Sequence, residues 1–199
     1  LVWAEALDGG APTRKVHYRA RLMSISAPFG NQPREFLKVQ HRFNGFDWAA
    51  TKDHVLYEEY DRDRRWRTTY LVNLNNPTVP KKVFDLSVND SYRDQGRPVY
   101  ETNENGERVL VQEADWIYLT GRGATEKGDR PFLDKFNLET LRSERLFQSG
   151  ETAFEQFISF ARNSRTRILT RCESKTEPPN YFVDDLENHK KTTLTDFKD

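Results

Sequence analysis

An all-β fold, a β-propeller fragment of about four blades of antiparallel sheets, is predicted for this 199-residue chain by three observations. An apolar strand, a polar turn and a second short apolar strand recur four times: RLMSIS with REFLKV (21–39), TYLVNL with KKVFDL (69–86), FLDKFNL with SERLFQ (132–148), and YFVDDL with KTTLTD (181–196). Two columns keep step through these repeats. Ile25, Leu74, Leu138 and Leu186 are separated by 49, 64 and 48 residues, and Phe36, Val83, Leu146 and Leu194 by 47, 63 and 48. A unit of about 40 to 50 residues built from several short strands is the blade interval of a propeller, where sheets too thin to stand alone bury their faces against neighbours.

Each repeat carries a third strand upstream of the pair: VWAEA (2–6), VLYEEY (55–60), DWIYLT (115–120) and RILTRC (167–172). HRFNGFDW (41–48), ERVLVQ (107–112) and FEQFISFA (154–161) are expected to supply a fourth in the last three repeats. The first repeat opens directly on VWAEA, so the sequence reads as starting inside a blade. The expected blades are 1–40, 41–90, 91–150 and 151–199. Between strands, DGGAP (8–12), NNP (75–77), NENG (103–106) and EPPN (177–180) combine Gly, Pro and Asn, which supply positive or preset φ. The third repeat is longer by about 15 residues, and the surplus lies in SVNDSYRDQGRPVYETNENGER (87–108), expected as a surface loop or long hairpin.

Composition narrows the function classes. The 13% aromatic and 31% charged residues suit small sheet cores, and no window approaches the roughly 20 apolar residues of a membrane-spanning helix. Thirty-one basic side chains balance thirty-one acidic ones, so no global field draws the chain to nucleic acid or to an acidic membrane. A single cysteine, Cys172, excludes an internal disulfide framework and reads as a small buried side chain in a strand. The sequence starts at Leu1 with neither Met nor a signal-peptide pattern, and its compartment is not readable. Asn89-Asp90-Ser91 matches the short glycosylation acceptor pattern, which matters only in a secreted eukaryotic protein.

Catalytic motifs are missing from the sequence. No Gly-x-Ser-x-Gly elbow occurs among the ten glycines, so no catalytic residue is assigned. His17, His41, His54 and His189 are scattered without metal-ligand spacing, and neither a metal nor another cofactor is expected. TGRGATEKGD (120–129) lacks the ending of a phosphate loop and reads as a long hairpin turn.

Two charged clusters are the candidate substrate-binding residues. Glu58 and Glu59 would hold a peptide amino terminus if their carboxylates converged, but neighbours in a strand point to opposite faces. The alternative is one paired and one solvated carboxylate. Arg62, Arg64 and Arg65, interleaved with Asp61 and Asp63, form either a solvated hairpin tip or an arginine fork for a substrate or partner carboxylate.

VWAEALDGG (2–10), APFGNQPREFLKVQHRF (27–43), YDRDRRW (60–66), GDRPFLDKFNL (128–138) and ESKTEPPNYFVDDL with LTDF (173–197) carry a resemblance. The chain resembles the propeller of prolyl oligopeptidase-family serine peptidases, most closely the dipeptidyl aminopeptidase-like and glutamyl endopeptidase branch. This implies the C-terminal part of a propeller that, in a parent peptidase, gates access and helps recognise peptides. Its partners would be the peptide substrate and an α/β-hydrolase domain, which this sequence lacks. No catalytic role transfers to any residue here, and the chain by itself is expected to be inactive. A glutamyl specificity would need cationic recognition, a dipeptidyl one carboxylates for the free amine. The alternatives are a stand-alone propeller acting as an interaction scaffold and a small glycan-active enzyme. Terminal blades left unpaired would favour a homodimer.

Overall fold

The computed structural model describes residues 1–51 and 53–198. Strands account for nearly all regular structure, as the β-branched and aromatic content of the repeats requires. Strands β1 (Val2–Ala6), β2 (Ala20–Ser24) and β3 (Arg34–Val39) form a three-stranded sheet in that order. Strands β4 (Arg42–Trp48), β5 (His54–Asp61), β6 (Trp66–Asn73) and β7 (Asn76–Ser87) form the second. Both are antiparallel meanders. Pro77 and Pro80 fall in β7 at the sheet's edge, where a missing N–H breaks no ladder.

A 3₁₀ turn (Ser91–Arg93) and strands β8 (Arg97–Pro98), β9 (Tyr100–Thr102) and β10 (Arg108–Leu110) occupy the extra residues of the third repeat. There β9 and β10 make a hairpin, as expected, while β8 pairs with a strand of the next sheet. That sheet runs β11 (Gln112–Glu113), β12 (Trp116–Gly121), β15 (Phe132–Asn137) and β16 (Ser143–Gln148), with a small hairpin of β13 (Ala124–Thr125) and β14 (Gly128–Asp129) between β12 and β15. The last sheet is β17 (Phe154–Phe160), β18 (Arg167–Glu173), β19 (Asn180–Asp185) and β20 (Lys190–Thr193). One expectation is corrected: ERVLVQ is not a single strand. Its first half is β10, bonded to β9, and its second half is β11, bonded to β12, because the inserted hairpin captures Arg108–Leu110.

Both columns have a structural meaning. Ile25, Leu74, Leu138 and Leu186 each follow a strand directly. Each donates its N–H to the carbonyl of the residue just before the preceding strand of its sheet: Leu1 (3.0 Å), Asp53 (2.8 Å), Asp115 (2.8 Å) and Thr166 (2.7 Å). In the second column, pairing skips Phe36 between Leu22↔Leu37 and Met23↔Glu35. Val83 is skipped between Thr69↔Phe84 and Tyr70↔Lys82, and Leu146 between Leu133↔Phe147 and Asp134↔Arg145. These three residues are therefore β-bulges at one position of the repeat. Leu194 closes the last sheet with its N–H on the Tyr181 carbonyl (2.9 Å).

Two compact units divide the chain: Leu1–Asp90 with Glu101–Leu110, and Ser91–Tyr100 with Val111–Asp199. The first is built on Ala20, Leu22, Val39, Val55, Tyr57 and Val72, and Phe36, Phe43 and Phe46 pack against them. Val111, Tyr118, Leu133 and Ile168 centre the second, with Leu146, Phe157, Phe160 and Leu186 around them. Alternation explains the patterns: Val55 and Tyr57 face the first core together, two residues apart on β5. Among the described residues, no helix is long and apolar enough to cross a membrane.

Candidate functional site

The run DRDRR folds as the tip of the β5–β6 hairpin. Asp61 Oδ1 accepts the N–H groups of Asp63 (3.0 Å) and Arg64 (3.2 Å), and Arg65 takes a left-handed φ of 53° to return the chain into β6. An aspartate that satisfies amides two and three residues ahead turns the backbone without glycine. Arg62, Asp63, Arg64 and Arg65 are consequently all exposed. Arg65 donates to Asn89 Oδ1 (3.2 Å), and the Arg64 guanidinium lies 4.8 Å over the Trp66 ring. No described residue pairs with Arg62.

Glu58 and Glu59 do not converge. Glu58 accepts from Asn44 Nδ2 (2.5 Å) and pairs with Arg67 (3.3 Å). Glu59 is buried and accepts the His41 N–H (2.8 Å). Burial pushes the Glu59 carboxyl above the usual range, only partly offset by the His41 amide and charge and by the Gln40 amide. Adjacent carboxylates on one strand are directed to different environments, so the two do not converge.

Within the first unit, the hairpin tip borders a cavity of about 700 Å³. It is lined by the β1–β2 connection (Pro12, Val16, His17, Arg19), the turn before β4 (Gln40, His41, Arg42) and Tyr60–Arg64. Two of the lining arginines are held by the carboxylate of Asp8, a residue with 0% exposure. Arg42 is bidentate, Nη2 to Oδ2 at 2.6 Å and Nη1 to Oδ1 at 3.4 Å, while Arg19 Nη1 reaches Oδ2 at 3.0 Å. The Gly10 amide donates to Oδ1 (2.9 Å). Burial drives the Asp8 carboxyl up, but the hydrogen bonds from Arg19, Gly10 and Arg42 outweigh it and hold it below the usual carboxylate range. His41 Nδ1 stands 3.8 Å from Asp61 Oδ2. Arg19, His41 and Arg42 line the cavity and Asp8 holds two of them, yet sequence reading did not single them out as a group. Asp8 and Arg42 are 34 residues apart, and only the pairing of separate strands brings them together.

The second unit holds another cavity of about 700 Å³, lined by Thr125–Lys127, Asp129, Arg130, 150–154 and 173–175. TGRGATEKGD forms the β13–β14 hairpin on its wall, where Arg122 is tied to Asp129 (2.7 Å). Lys127, Arg130 and Lys175 there meet Glu126, Asp129, Glu151 and Glu173, a mixture with one acidic side chain in excess rather than a phosphate cradle. Among the described residues, no group of three or more His, Cys, Asp or Glu side chains is placed to hold a metal ion. Cys172 is half-buried in β18, and burial, with Glu155 next, pushes its thiol up.

No protein-family model matches the sequence. Two probable chloroplastic glutamyl endopeptidases, from rice (Oryza sativa subsp. japonica) and Arabidopsis thaliana, are each 30% identical over 213 aligned residues, covering 99% and 98% of this chain. The chain is a homologue of part of the glutamyl endopeptidases. It spans 23% and 22% of the length of these relatives. Among solved structures, the β-propeller domain of the Trilobed protease from Pyrococcus furiosus covers 98% of the homologue and 52% of its own chain, at 12% identity and a TM-score of 0.52. An oligogalacturonate lyase in complex with manganese covers 88% of it and 42% of its own chain, at 12% identity and a TM-score of 0.50. At such identities these likenesses show the fold, a propeller, and nothing more. The resemblance to the dipeptidyl aminopeptidase-like and glutamyl endopeptidase branch is borne out on its glutamyl endopeptidase side.

Proposed function

We propose that this chain is the non-catalytic propeller part of a serine peptidase of the prolyl oligopeptidase family, and that it gates access to the catalytic domain and helps recognise peptide substrates. The observation that carries the reading is the alignment with an endopeptidase over almost the whole chain, joined to a sequence without a nucleophile elbow. A propeller next to a hydrolase domain admits flexible peptides and excludes folded proteins by size. Hairpin tips are where such a scaffold presents contacts, and Arg62 and Arg64 on the β5–β6 tip line a peptide-sized cavity. Arg65 is held by Asn89, and Glu58 and Glu59 are held by separate partners, Asn44 and the His41 amide.

Reading the open frame that encodes the chain tests the proposal: an α/β-hydrolase domain with Ser, Asp and His is expected in the same polypeptide. A frame holding further propeller repeats and no hydrolase would overturn it and leave an interaction scaffold. In the full-length peptidase, an unstructured protein should be cleaved far faster than the same protein locked in its folded state.

A further inference from the structure

We infer that Asn105, at the tip of the β9–β10 hairpin, is a self-modification site: the Gly106 main-chain nitrogen displaces its side-chain amide and leaves aspartate or isoaspartate. The sequence has two Asn-Gly steps, Asn44–Gly45 and Asn105–Gly106, and glycine opens this reaction because no Cβ shields its nitrogen and its backbone turns freely. Structure separates the two. Asn44 lies within β4, and its Nδ2 donates to Glu58 Oε1 on β5 (2.5 Å). Asn105 is exposed, its side-chain amide has no described partner, and a Cβ built on Gly106 would meet nothing within 4 Å. Nitrogen and carboxamide therefore have room to approach.

In the step, the Gly106 nitrogen gives its proton to solvent hydroxide and bonds to Cγ of Asn105. The Cγ–Nδ2 bond breaks and ammonia leaves. Water then opens the cyclic imide at either carbonyl. Asn103 is the brake on this chemistry: its Oδ1 accepts the N–H groups of Asn105 (3.0 Å) and Glu107 (2.9 Å), and its carbonyl accepts that of Gly106 (3.0 Å). Its Nδ2 also donates to Glu107 Oε2 (2.8 Å). The Gly106 nitrogen attacks only when this cap opens, and an exposed hairpin tip is among the first parts of a fold to open. Conversion then weakens the hairpin, because a new carboxylate joins Glu104 and Glu107 in one turn and isoaspartate lengthens the main chain by a carbon. Strand β10, with Val109 and Leu110 buried, depends on that turn for its pairing with β9. The inference is independent of the peptidase reading.

The test is incubation of the folded chain in warm, mildly alkaline buffer, followed by peptide mapping that separates asparagine, aspartate and isoaspartate at each position. Asn105 should convert while Asn44 stays amidated, with more isoaspartate than aspartate, the mark of a cyclic intermediate. N105Q should remove the acidic species from the intact protein, since glutamine would have to close a larger ring. N103A takes away the two bonds accepted by Oδ1 and should speed conversion about tenfold. N105D, the charge of the product without its extra carbon, should exchange its β9 and β10 amides faster than the parent and leave β5 and β6 unchanged. An Asn105 that keeps its amide, conversion at Asn44 as fast as at Asn105, or an N103A chain that converts no faster than the parent would overturn the inference.

Discussion

Glu59 and Asp8 are both buried carboxyls, yet their neighbours push them in opposite directions. Burial dominates at Glu59 and raises its pKa in the folded state, so the folded protein holds a proton that the unfolded chain releases near 4.3. Stability from this group is present in acid and falls as pH rises from about 4.3 through the raised folded value. E59Q should flatten that fall and raise the unfolding temperature relative to the parent above the window. Asp8 is held below its ordinary value, so its contribution is present above about 3.9 and is lost as pH drops through the folded value. D8N should therefore be less stable than the parent at pH 7 and converge with it in acid, as followed by urea unfolding across pH. A glycine pair separates two kinds of residue-scale strain. Gly106 has φ of 80° and open space around a built Cβ, whereas at Gly123 (φ 60°) the Cβ would stand 2.1 Å from the Arg130 carbonyl oxygen. G106A should cost about 1 kcal/mol from backbone conformation alone. G123A should cost about 3 kcal/mol or more, because backbone must also move.

At the scale of the element, three hairpins use one device. Asp61, Asn137 and Asp185 each cap amides two and three residues ahead, and the residue four ahead adopts a left-handed φ: Arg65 at 53°, Leu141 at 58° and His189 at 56°. Asn137 is buried and also accepts from the Thr140 hydroxyl (3.1 Å), so N137A should lose about 1 to 3 kcal/mol while N137D retains the acceptor. L141G should be stabilising by about 0.5 to 1 kcal/mol, since relief of the left-handed strain exceeds the extra freedom of glycine in the unfolded chain. Chemical denaturation of both variants checks this. A destabilised L141G would mean that the half-exposed Leu141 side chain contributes more by contact than it loses by strain.

For the whole molecule, each unit has its own apolar centre. L133A empties a fully buried position in the second unit and should destabilise by about 2 to 5 kcal/mol, with amide exchange accelerating in β12, β15 and β16. With no nucleophile elbow in its sequence, the isolated chain should turn over none of a panel of peptide-nitroanilides. Activity from pure protein that is abolished by a serine-directed inhibitor would contradict this.

Sequence by itself determined the repeat and therefore the fold class. Ile25, Leu74, Leu138 and Leu186 recur because each occupies the same hydrogen-bonded position after a strand, and a blade interval leaves its period in the chain. It also determined that DRDRR turns, since the Asp61 cap is local. Tertiary structure alone decided that ERVLVQ divides between two sheets, because the competing partner, β9, has no pattern of its own to announce it. Pairing likewise decided the fates of Glu58 and Glu59, whose surroundings come from Asn44, Arg67 and His41 on other segments. The Asp8–Arg19–Arg42 arrangement was invisible for the same reason. Burial and ion pairing are properties of residues far apart in sequence, and no spacing rule connects position 8 to position 42 until the strands that carry them are packed.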